Sequence, residues 1–63
     1  MAILEREIVD LSSKGYDREK VAKLISESNH NVDLKYCRQR VDLALTRESF
    51  RLAGKEIPSS LEW

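Results

Sequence analysis

A single cysteine, Cys37, leaves the chain without an intramolecular disulfide, so a disulfide-stapled fold is excluded. A lone thiol on a helical apolar stripe reads as a small core residue rather than a nucleophile. The one histidine, His30, sits in a polar stretch with no second ligand-type residue at metal spacing, and its expected role is a solvent-exposed or capping side chain. The sequence has no GxSxG, no phosphate-binding glycine loop and no HExxH, and its carboxylates fall where solvated helix faces put them. These absences predict a non-enzymatic protein with no metal, cofactor or small-molecule substrate. No apolar run approaches the ~18 residues of a membrane span, and no charged start followed by an apolar block suggests a signal peptide. The expected location is therefore cytoplasmic, away from membranes. Charge of one sign is also lacking, since 11 Lys and Arg balance 11 Asp and Glu. That removes the excess positive charge behind tight nonspecific nucleic-acid binding, while leaving room for a local basic cluster. Internal repeats, low-complexity tracts and period-two alternation are absent too, so a β-rich fold has no support.

What is present is one long stretch. From Asp33 to Ala53 there is no Gly or Pro, a capping residue opens the run, and Gly54 closes it, which predicts a single long helix. Its apolar residues fall on two faces. Leu34, Cys37, Val41, Ala44, Leu45 and Leu52 share one side at 3.6 residues per turn. Tyr36, Leu43 and Phe50 recur every seventh position on the other, in line with Val32. A small bundle covers one such face, and the second calls for the tail, a second copy or a partner.

Two shorter helices precede it. In the first, Ile3, Leu4, Ile8 and Leu11 give one apolar face with Val9 on its flank, and Gly15 supplies a left-handed residue after the helix. Asp17 is a good N-cap for the second, which should run from Arg18 to about Ser26 with Val21, Leu24 and Ile25 facing inward. The polar run to Asn31 connects it to the third helix, where Val32 is placed to act as a hydrophobic staple against Cys37. After Gly54, Pro58 and two serines preclude a long helix, yet Ile57, Leu61 and Trp63 carry too much apolar area for a free end. With 63 residues the chain forms one domain near the lower limit for a self-sufficient core. The expected fold is all-α: a compact three-helix bundle over residues 1–54 with a long third helix, and a tail, 55–63, packed back on it.

Three resemblances bear on function. The stretch from Arg6 to Val32, with Arg6-Glu7-Ile8, Leu11, Gly15, Val21-Ala22, Ile25, Ser28 and Asn31-Val32, resembles the helix-turn-helix of LuxR/GerE-type regulators. In that pattern Asn31-Val32 opens the recognition helix, while Glu27 stands where the family has an apolar turn residue. The resemblance implies DNA binding, with Asn29, His30, Asn31, Lys35, Arg38 and Gln39 near the bases and phosphates. Gly15, Tyr16, Asn31, Val32 and Asp33 are similar to ubiquitin-associated (UBA) domains, which implies a protein-binding adaptor. LSSKGY with Asp33, Tyr36, Val41 and Leu45 is similar to one repeat of the RecX family.

The leading expectation is a small regulatory protein that binds DNA as a dimer through a helix-turn-helix-like core. The alternative is an adaptor that binds a protein through the third helix and the Gly15-Tyr16 loop, and a third reading is a subunit whose task is assembly. In either of the first two, Leu34, Cys37, Val41, Leu45 and Leu52 are the candidate contacts for a partner or for a homodimer. Arg40, Arg47 and Arg51 share one flank of the third helix, where they either grip phosphates or an acidic surface, or are solvated beside carboxylates such as Glu48.

Overall fold

The computed structural model describes residues 3–63, which form three α-helices and one 3-10 turn. Helix α1 spans Glu5–Ser13, α2 spans Arg18–Ser28 and α3 spans Leu34–Leu52, and the 3-10 turn covers Ser59–Leu61. Helix α3, about 28 Å long at 1.5 Å per residue, accounts for most of the 34 Å longest dimension.

The helix boundaries follow from local chemistry. The Asp17 carboxylate accepts from the Lys20 backbone N–H at 2.8 Å, and that of Asp33 accepts from the Tyr36 N–H at 3.3 Å. Each satisfies a donor with no partner inside its helix, an effect worth about 1 kcal/mol. At the other end, α2 and α3 close the same way. The Asn31 N–H reaches back to the Ser26 carbonyl at 2.8 Å, and the Lys55 N–H to the Phe50 carbonyl at 2.9 Å. This six-to-one bond needs a left-handed residue just before its donor. Gly54 takes that place after α3 with φ +71, while after α2 it falls to His30, with φ +62.

Helix α3 meets the bundle with the face that carries Cys37, Val41 and Ala44, all fully buried. They pack with Ile3 and Ile8 from the start of the chain and with Val21, Ala22 and Ile25 of α2. Val32, Leu34, Leu45, Leu11 and Trp63 close the edges of this cluster. Along α3 the Tyr36/Leu43/Phe50 stripe is thus the outer one, with Tyr36 exposed and the other two half-buried. Two leucines depart from their expected faces. Leu4 occupies the N-cap position of α1 in extended backbone, out of phase with the helix, and Leu52 ends α3 without a neighbouring element over it.

Ion pairs fix the order of packing. Arg18 and Glu19, at the start of α2, pair with Asp42 and Arg38 in the middle of α3. The end of α2 meets the loop before α3, where the Ser26 hydroxyl donates to the Val32 carbonyl at 2.6 Å. Glu5, at the start of α1, pairs with Arg47 and Arg51 near the end of α3. Helices α1 and α2 therefore each run counter to α3, on opposite flanks of it.

Candidate interaction surface

The arginine strip of α3 is committed within the fold. Arg47 donates from Nε to Glu5 Oε2 at 2.6 Å and from Nη1 to the Leu61 carbonyl at 2.7 Å. Arg51 bonds Glu5 Oε1 at 2.8 Å and Glu48 Oε1 at 2.6 Å. The Glu48 bond first, and Glu5 after it, holds the Arg51 guanidinium above its ordinary pKa. Arg40 donates from Nη2 to the Trp63 backbone oxygen at 2.8 Å, with its guanidinium carbon 4.0 Å from the Trp63 ring centre and 5.9 Å from that of Tyr36. Such a cation over an indole is worth about 0.5–2 kcal/mol. The strip thus ties together α1, α3 and the tail, which returns along this flank.

The residues nominated for DNA separate into two groups. Asn29 is buried, and its side-chain amide donates to the Ile25 carbonyl at 2.8 Å and to the Ser28 hydroxyl at 3.2 Å. Its side chain is turned into the end of α2. Arg38 is exposed, but its Nε bonds both Glu19 oxygens at 2.9 Å. That bond lowers the Glu19 pKa and raises the Arg38 pKa. His30 and Asn31, in the loop before α3, and Lys35 and Gln39, in its first turns, are exposed. Helix α3 opens at Leu34 rather than at Asn31-Val32, because α2 continues to Ser28 and the Asp33 cap sets the next start.

The five residues nominated for a partner or dimer contact are also redistributed. Cys37 and Val41 are fully buried in the bundle's own core, and Leu34 and Leu45 pack at its edge. The bundle's own core takes up Cys37 and Val41, and of the five only Leu52 stands out in solvent. Burial pushes the Cys37 thiol pKa up, in keeping with a packed and unreactive sulfur.

Among the described residues, the exposed large hydrophobics are Leu4 at 53%, Tyr16 at 43%, Tyr36 at 46% and Leu52 at 81%. Leu4 and Leu52 each adjoin a member of the Glu5–Arg51 pair in sequence, which puts both at one end of the bundle. Tyr16 lies in the turn between α1 and α2, beside Gly15 with φ +97. Among the described residues, no group of three or more His, Cys, Asp or Glu side chains is placed to hold a metal ion. No helix of the described residues is long and apolar enough to cross a membrane.

Glu5 and Trp63 are the participants that periodicity could not single out. Glu5 reads as one more charge on the outer side of α1, and its partners lie 42 and 46 residues away. Comparison with protein-family models, curated proteins and solved structures finds no match for this chain.

Proposed function

We propose that the chain is a non-enzymatic protein-binding module whose contact surface lies along α3. The observation that carries this reading is the contrast between its cations and its apolar side chains. Arg18, Arg38, Arg47 and Arg51 each pair with a carboxylate, and Arg40 stacks on Trp63. Phosphates would have to compete with those carboxylates for the same guanidinium groups. Tyr36 near the start of α3 and Leu52 at its end, by contrast, present apolar area to solvent on different faces of the helix, and exposed aromatic and aliphatic side chains are the anchors that protein interfaces bury.

DNA binding is the second reading, favoured by the exposed donors His30 and Asn31 in the loop before α3 and Lys35 and Gln39 in its first turns. One pair of measurements separates the two. Sedimentation of the chain alone reports whether the partner is a second copy, and mixed-sequence DNA is then added at low and moderate salt. A protein-binding module keeps its sedimentation rate with DNA at both salts, and Tyr36→Asp or Leu52→Asp weakens its self-association or its capture of a partner. A chain that shifts with DNA at low salt, releases it at higher salt and loses that shift on Lys35→Ala with Arg38→Ala is a DNA-binding protein instead.

A further inference from the structure

The tail is bound to α3 in a manner that does not depend on its being part of the same chain. Between Gly54 and the 3-10 turn it crosses exposed residues, with Ile57 alone half-buried. Trp63 packs against the edge of the core, and the tail's polar hold on α3 comes from three contacts. Arg47 donates to the Leu61 carbonyl, Arg40 donates to the Trp63 backbone oxygen, and the Trp63 indole lies on the Arg40 guanidinium, with Tyr36 beyond. Two of these go to backbone oxygens and the third to an aromatic face. Any peptide with an aromatic residue at the right place offers the same groups. Glu56 and Glu62 of the tail line an open cleft with Arg47, so the segment is also matched in charge.

One donor at this site remains unused. Arg40 Nε is buried and makes no hydrogen bond among the described residues, although a buried N–H without a partner is costly. The guanidinium is a fork whose Nε and Nη2 edges suit the two oxygens of one carboxylate. A carboxylate at the position of the Trp63 main-chain oxygen, whether it belongs to the tail or to a peptide, takes both donors at once.

Building on the protein-binding reading, we propose that the Arg40–Arg47 flank of α3 is a peptide-binding site that the chain's own tail occupies in cis. The partner is an acidic segment with an aromatic residue that presents a carboxylate to Arg40, and it binds by displacing Trp63. The tail then acts as a built-in competitor. A segment on a short flexible connection faces its site at an effective concentration of about a millimolar, so a partner must exceed what the tail achieves there.

The test uses the full chain and synthetic peptides with the sequence of residues 55–63. Trp63 is the only tryptophan, so its emission reports its own displacement. A peptide with Phe in place of the last residue, titrated into the wild-type chain to millimolar concentration, should shift the Trp63 emission to the red and saturate. A fluorescein-labelled peptide should bind the Trp63→Ala chain at least about tenfold tighter than wild type, because the competing tail is loosened. Adding Arg40→Gln should abolish that binding, and amidation of the peptide's terminal carboxylate should weaken it by about tenfold. Emission unmoved at millimolar peptide, together with equal or absent binding to wild type and to a Trp63→Ala chain of unchanged helicity, overturns the proposal. Binding that survives Arg40→Gln also overturns it. Concentration-dependent dimerisation through exchanged tails would make the second copy the occupant and overturn the assignment to a foreign peptide. Because the probe is the chain's own sequence, these outcomes do not depend on a cellular partner. A partner lost on Leu52→Asp with no peptide binding would leave the protein-binding reading intact and remove only this site.

Discussion

Arg47 reaches Glu5 across 42 residues of sequence and bonds it at 2.6 Å, with the two side chains only 17% and 19% exposed. This is the least solvated ion pair of the fold, and it fixes the start of α1 against the last turns of α3. Glu5 also receives Arg51 on its other oxygen, so one carboxylate neutralises two cations of the strip. Removing Glu5 leaves both guanidinium groups without it, and the cost of stranding a partly buried charge exceeds that of losing an exposed pair. Glu5→Gln should therefore lower stability by about 1–3 kcal/mol, measured by urea denaturation. Glu7→Gln, at an exposed neighbouring position, should change it by less than about 0.5 kcal/mol. Equal effects of the two would show that the pair contributes nothing.

The helices were legible because their signals are local. Asp17 and Asp33 cap within three residues, and Gly15 and Gly54 mark ends by their own backbone freedom. The choice between the two faces of α3 was not legible, because both stripes have helical spacing and the decision rests on how α1 and α2 fit against each. Cys37, Val41 and Ala44 offer small side chains that let the helices approach, whereas Tyr36 and Phe50 do not. The fate of the arginine strip was hidden for a related reason. Spacing shows that Arg40, Arg47 and Arg51 share a flank, but their partners Glu5, Leu61 and Trp63 come from opposite ends of the chain.

The choice of face has a direct consequence for Val41. On a dimer surface, Val41→Asp would give a folded monomer. In the core, in one buried cluster with Ile8, Val21 and Ile25, it buries a carboxylate at a cost of several kcal/mol, comparable to the whole stability of a domain this small. The expected outcome is loss of the helical circular dichroism signal and of a cooperative unfolding transition. A folded, monomeric Val41→Asp chain would return this face to the interface.

The Glu19–Arg38 pair links α2 to α3 at an exposed site and has a pH dependence of known sign. The Arg38 hydrogen bond lowers the Glu19 pKa from its ordinary 4.5 in the folded state. A carboxylate depressed on folding stabilises the fold above its unfolded pKa, and that contribution is lost as pH falls through the folded value. The wild type should therefore be slightly more stable than Glu19→Gln at neutral pH, with the difference shrinking below about 4.5 and vanishing in stronger acid. Urea denaturation of both chains across this range checks it, and a difference that grows on acidification would contradict the pairing.

His30 closes α2 from the left-handed position that Gly54 holds after α3. A side chain there costs about 1–2 kcal/mol, whereas glycine adopts it freely but adds about 0.5–1 kcal/mol of chain entropy to the unfolded state. The difference favours glycine by up to about 1.5 kcal/mol. His30 is exposed, and among the described residues no hydrogen bond of its side chain offsets this. His30→Gly should accordingly raise the midpoint of urea denaturation, and Gly54→Ala, at the matching position, should lower it by about 1 kcal/mol. If His30 instead contributes to a ligand contact at the start of α3, the same His30→Gly chain will be more stable yet bind less tightly. A stabilised chain whose DNA and partner binding are both unchanged would assign His30 to the closure of α2 alone.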